Sequence, residues 1–163
     1  MEVQGQITVE FVLLVGIVFP VVLGICVYIG DDTELSQAMA AARNGAMEGS
    51  NIDSFAIYPK DSFDNNIDKH PRLNNPSSVK IINIDYKNFG YNATYNKTRI
   101  QLRITASCPT FHESDKNPLG DRINYFARKR ISESFGTSSQ TNSAFNPAYS
   151  NRYVFTTADV KWI

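Results

Sequence analysis

From Phe11 to Gly30 the chain runs for twenty residues without an Asp, Glu, Lys, Arg or His. At about 1.5 Å of rise per residue a helix of this length covers about 30 Å, the hydrocarbon thickness of a bilayer, so the pattern predicts a membrane span. Glu10 puts a carboxylate at the edge of the run, and Gln4-Gly5-Gln6 forms a short polar leader before it. A charge in such a place is costly and as a rule has an assigned partner. Inside the run, Gly16, Pro20 and Gly24 recur every four residues and share roughly one helix face. Pro20 cannot donate to the Gly16 carbonyl, which predicts a kink or local opening there. Two readings of the small residues stay open: they let helix backbones approach closely, or they reflect the frequency of Gly and Pro in membrane helices.

The period changes after Gly30. Acidic residues at Asp31, Asp32 and Glu34 suit a helix start, and Leu35, Ala38 or Met39, Ala42, Ala46 and Met47 follow at helical spacing. This predicts an amphipathic helix of about fifteen residues ending near Gly49. Ile52 to Ser78 is rich in Asn, Asp, Pro and Ser and holds neither period, as expected of a long loop. Alternation then takes over. Ile82, Ile84 and Tyr86 alternate with Ile81, Asn83 and Asp85, and Ile100, Leu102, Ile104 and Ala106 alternate with Gln101, Arg103 and Thr105. The two runs, Val79 to Lys87 and Thr98 to Ser107, predict a hairpin with one face on a core that the N-terminal helix is suited to cover. Pro109 to Gly120 reads as loop. Asp121 to Phe135 carries Ile123, Phe126, Ala127, Ile131 and Phe135 at helical spacing, with Arg122, Arg128, Lys129 and Arg130 mostly opposite. Thr137 to Ser150 reads as a surface loop or a disordered excursion, and Arg152 to Ile163 as a terminal strand tied into the sheet.

Charge and cysteine content add little. Residues 1 to 30 hold only Glu2 and Glu10, leaving 16 basic and 14 acidic groups in the remainder, so no global field points to nucleic acid. The basic cluster Arg128, Lys129, Arg130 is read first as a solvated face, and no aromatic platform accompanies it. Cys26 lies in the apolar run and Cys108 stands alone beyond it, so the head is expected to form without a disulfide. His70 and His112 are the only histidines, and Cys108, His112 and Glu113 match no recognised zinc spacing. With no nucleotide-binding glycine loop and no nucleophile motif with a base, neither an enzyme nor a cofactor is expected. Asn92-Ala93-Thr94 and Asn96-Lys97-Thr98 are two glycosylation sequons at the expected hairpin tip, which makes Asn92 and Asn96 candidate attachment sites on an exported protein.

At Gly5, Gln6, Thr8, Glu10 and Leu13, followed by the run to Gly30, the chain resembles the archaeal type IV pilin-like proteins with a class III signal peptide. The resemblance covers about the first thirty residues. It implies that a prepilin peptidase cuts between Gly5 and Gln6, leaving the apolar segment on the mature protein. It also implies a long spine helix bearing an attached head. The leader departs from the family's pattern by carrying Glu2 and Gln4 where basic residues are usual, so the positive-inside signal hardly orients the span. Cleavage exposes an amine at Gln6, and amine and carboxylate carry opposite charge at neutral pH. Buried in a filament core neither is tolerable alone, so Glu10 reads as the partner of a neighbouring subunit's Gln6 amine, against the plainer reading of a carboxylate resting at the membrane interface.

These readings converge on an α+β chain with a long N-terminal hydrophobic helix, a small antiparallel sheet and one further helix. The expected divisions are a leader over 1–5, a transmembrane and filament-core helix over 6–30, an amphipathic continuation over 31–49 and an exposed head over 50–163. The expected function is a structural or accessory subunit of a pilus-like filament, a membrane precursor that ends at the cell surface. Its expected partners are the prepilin peptidase, other pilin subunits in a homo- or heteropolymer, and the membrane. The assembly residues would be Gln6, Glu10, Gly16, Pro20 and Gly24. A surface glycan or cell-wall contact is a further expected partner, and the alternative function is a single-span anchored surface protein whose head binds a cell-wall component or partner without polymerising.

Overall fold

The computed structural model describes residues 3–51, 79–109 and 113–163, without the side chains of residues 3–8, 31 and 113. The expected loop over Ile52 to Ser78, His70 within it, and His112 lie outside these residues. The chain divides into two compact units, Met1–Ser36 and Gln37–Ile163. Helix α1 (Val3–Asn51) contributes to both.

In the second unit the order is the end of α1, β1 (Lys80–Asn92), β2 (Lys97–Ser107), α2 (Glu113–Ser134), a 3-10 turn at Ser138–Gln140, β3 (Ala148–Tyr149), β4 (Tyr153–Thr157) and β5 (Lys161–Trp162). The α+β class is therefore observed. The sheet runs β1-β2-β4-β3, with β5 beside β2. β1 pairs antiparallel with β2 as a hairpin, and β4 and β5 both run parallel to β2. The sheet is thus mixed rather than antiparallel throughout, because the chain crosses over through α2 after β2 and returns in the same direction.

The alternation in β2 is reproduced: Ile100, Leu102, Ile104 and Ala106 are all buried. In β1 the faces differ from the simple alternation. Ile81 stands opposite Ala106 and Asn83 opposite Thr105, so Ile82 is an extra residue in a bulge, and Ile81 rather than Ile82 shares the face of Ile84 and Tyr86. Ile82 is left about half exposed, at 48%. A second shift lies between Asn88 and Tyr91, where Gly90 has φ +77, a left-handed backbone that glycine adopts without strain.

The terminal strand is tied down as expected. Tyr153 to Thr157 match Thr98 to Leu102 one for one, whereas Lys161 and Trp162 match Thr105 and Ala106, so one extra residue is accommodated between Thr157 and Lys161. The Ile163 amide donates to the Ala106 carbonyl at 3.0 Å.

α2 begins two turns before the expected start and contains Pro118. Near a helix start the lost donor leaves only the Ser114 carbonyl without its usual partner. Leu119, Ile123, Ala127 and Ile131 are fully buried on one stripe, and Ala38, Ala42 and Ala46 of α1 are fully buried as well. A β-carbon on Gly49 would fall 3.0 Å from the Arg122 carbonyl oxygen and from Ile123 Cα, and one on Gly45 would fall 2.8 Å from Ala127 Cα. Gln37 Nε2 donates to the Ser134 carbonyl at 3.2 Å. The contacts rise in α1 as they fall in α2, so the two helices pack antiparallel. Gly49 marks this close approach and also lies two residues before Asn51, the last residue of α1, near the expected helix end.

The stretch from Thr137 to Ser150 is ordered, held by side chains bonding to backbone. Thr137 Oγ1 donates to the Tyr149 carbonyl at 2.7 Å and Thr141 Oγ1 to the Pro147 carbonyl at 2.6 Å. Asn142 Oδ1 accepts from the amides of Ala144 and Asn146, and the Asn146–Pro147 peptide is cis. The same Ser, Thr and Asn residues that suggest disorder by composition act here as local staples.

Candidate functional site

The first unit is a helix whose described side chains from Val9 to Ile29 are exposed, with Phe11 at 65%, Ile17 at 68% and Tyr28 at 69%. Near the N-terminus the chain therefore has a helix long and apolar enough to cross a membrane. Gly5 and Gln6 are within this helix, and Glu10 follows Gln6 by one turn and is exposed. A β-carbon on Gly16 or Gly24 would meet nothing within 4 Å, so packing among the described residues requires neither glycine. Pro20 lies inside the helix and deprives the Gly16 carbonyl of its usual donor. Leu14, Val15, Val18, Phe19 and Val22 line a shallow apolar depression of about 200 Å³, of the kind that receives a side chain from another helix.

The two sequons sit at the β1–β2 turn as expected. Asn92 Oδ1 accepts from the Thr94 amide at 2.9 Å, closing an Asx turn. Asn96 is exposed with φ +53, and its Oδ1 accepts a hydrogen bond from the Tyr91 hydroxyl. Each bond engages the oxygen of the amide and leaves the Nδ2 that would carry a glycan unengaged by it.

The basic cluster of α2 does not form one surface. Arg128 is buried, at 8% exposure, and donates through Nη1 to Thr157 Oγ1 and through Nη2 to the Ala144 carbonyl at 3.2 Å. Burial lowers its pKa from the ordinary arginine value, against the opposing effect of the Asp121 charge. It is a tie between α2 and β4, contrary to its expected place on the outer face. Arg130 does face solvent, with Nε 2.6 Å from Glu48 and Nη1 2.9 Å from Glu133. The hydrogen bond and charge of Glu48, then the charge of Glu133, raise its pKa. Lys129 lies 3.7 Å from Glu133 and 5.6 Å from the Phe126 ring centroid. These charges are compensated across a cleft of about 680 Å³ lined by Ala41, Asn44, Glu48, Arg130, Glu133 and Ser134. That leaves little net field for a polyanion.

Cys26 and Cys108 are free thiols, the first exposed and the second buried. Among the described residues no three His, Cys, Asp or Glu side chains converge as metal ligands. No family model, curated protein or solved structure matches this chain.

Proposed function

We propose that this chain is a structural or accessory subunit of an archaeal type IV pilus-like filament, made as a membrane-embedded precursor and cut between Gly5 and Gln6. One observation carries the reading: an apolar helical surface from Val9 to Ile29 that the described residues leave uncovered, with a carboxylate, Glu10, at its edge. Water does not tolerate such a surface, so lipid holds it first and neighbouring helices hold it afterwards. Exchanging lipid for apolar side chains gains little hydrophobic free energy, which leaves packing and polar pairing to direct assembly. Gly16 and Gly24, where a β-carbon would meet nothing among the described residues, let neighbours approach there. The amine released at Gln6 starts the mature helix and Glu10 lies one turn in. A neighbour's amine on that carboxylate cancels two charges that the filament core could not hold separately and fixes the axial step.

The prepilin peptidase and other pilin subunits are the partners this requires. N-terminal sequencing of the mature protein tests the first half: Gln6 at the terminus supports it, and an intact Met1 or cleavage beyond Gly30 defeats it. Negative-stain microscopy of sheared surface material tests the second, filaments containing this chain standing against an anchored monomer.

A further inference from the structure

The second unit carries a polar cleft that assembly through α1 does not use. About 320 Å³ in volume, it lies between the first turns of α2 and the β4–β5 junction. Asn117, Asp121 and Asn124 line it from α2, and Asp159 and Trp162 line it from the C-terminal strands. Lys116, Gly120 and Val160 complete the wall.

Three features make it more than a surface dent. Asn124 is buried at 6% exposure, and its Nδ2 donates to the Ala158 carbonyl at 2.9 Å, holding the amide across the extra residue between β4 and β5. Its Oδ1 is buried with no hydrogen-bond partner among the described residues. A buried acceptor left in that state is costly unless something donates to it. Next, the Trp162 indole is half-buried over a helix position that has no side chain: a β-carbon on Gly120 would lie 3.8 Å from its Cζ2. Finally, Asp121 and Asp159 are both exposed at the same cleft.

An aromatic ring edged by carboxylates and amides complements a molecule with hydroxyls around its rim and polarised C–H bonds on its face. The ring's negative face receives the C–H groups, and the carboxylate and amide oxygens accept from the hydroxyls. The volume is at the lower end of the roughly 300–1,000 Å³ of small-molecule sites, which suits one ring. A divalent cation fits less well. Calcium takes about six to eight oxygens, and the Lys116 ammonium lines the same cleft. We propose that this cleft binds a single pyranose ring of a neutral saccharide, with Asn124, Asp121 and Asp159 accepting from its hydroxyls and Trp162 as its platform. The proposal rests on the second unit alone and stands or falls separately from filament assembly.

Trp162 is the sole tryptophan of the chain, so intrinsic fluorescence reports this cleft and no other. The full chain, in a detergent without a sugar headgroup, is titrated with glucose, galactose, mannose and N-acetylglucosamine, and separately with calcium. The expected result is a saturable change in emission with at least one sugar at millimolar concentration. That response should weaken about tenfold in Asp159→Ala and in Asp121→Ala, each removing a charge-assisted hydrogen bond. Both substitutions are on exposed side chains, and an unchanged thermal melt verifies the fold. No saturable response to any of the four sugars overturns the proposal. So does a response equal in wild type and both variants, or one to calcium alone.

Discussion

Gly45 of α1 and Phe126 of α2 meet backbone to backbone. A β-carbon on Gly45 would run into the Phe126 carbonyl, 2.6 Å from its carbon, where no flexible side chain can yield.

Gly45→Ala should therefore destabilise the second unit. Alanine gains about 1 kcal/mol over glycine in helix propensity, and overpacking typically costs about 1–3 kcal/mol, more where backbone must move. At Gly45 the second term wins. At Gly49, where the nearest atoms are 3.0 Å from the added carbon, the two nearly cancel. At Gly16 and Gly24 nothing among the described residues opposes the gain. Urea denaturation of the full chain in detergent should rank the midpoints with Gly45→Ala lowest, Gly49→Ala near wild type, and Gly16→Ala and Gly24→Ala no lower than wild type.

Arg128→Ala should cost about 2 kcal/mol or more, since it removes a buried guanidinium from Thr157 and Ala144 and strips its stem from the core. Arg128→Lys should not restore the midpoint. A single ammonium cannot reproduce the fork that reaches a hydroxyl and a carbonyl together.

Glu10→Gln keeps the shape of the side chain and removes its charge. It should abolish filaments or blur their axial step in micrographs while leaving the melting of the second unit unchanged. Normal filaments from this variant would remove Glu10 from the assembly mechanism.

The exposed charges of α2 should prove weak in every assay. Alanine at both Lys129 and Arg130 removes ion pairs that are open to solvent and screened by salt. Thermal melts should move little. Retention on an immobilised polyanion such as heparin should be low for wild type and unchanged in the variant, and strong wild-type retention lost in the variant would assign the cluster a binding role.

The mass of the native protein should exceed that of its polypeptide, and the excess should vanish when Asn92 and Asn96 are both replaced by Gln. Equal masses for native protein and polypeptide would leave the hairpin tip bare.

Periodicity carried the elements, and chain direction was the part it could not carry. The buried stripe of β2, the stripe of α2 and the terminal strand are all legible because burial repeats every two or about 3.6 residues. That β4 runs parallel to β2 is set by the crossover through α2, and no residue in Tyr153–Thr157 encodes it. The bulge at Ile82 was hidden because three isoleucines near one another satisfy either register. Glycine carried a second role that the sequence did not show: Gly49 lies near the end of α1 and is also where α2 leans on it. Arg128 looked solvated because its neighbours Lys129 and Arg130 are. The cleft at Asn124, Asp159 and Trp162 joins positions far apart in the chain, and only Trp162, alone of its kind, could have drawn attention to it.

For anyone wishing to study the head in water, the division inside α1 decides where to cut. A chain beginning at Ser50 discards Ala38, Ala42 and Ala46 and strips α2 of the helix whose Gly45 and Gly49 press against it. Beginning at Gln37 instead keeps that wall and sheds the exposed apolar surface of Val9 to Ile29. The first truncation should yield inclusion bodies and the second a soluble protein, from cuts only thirteen residues apart along the same helix.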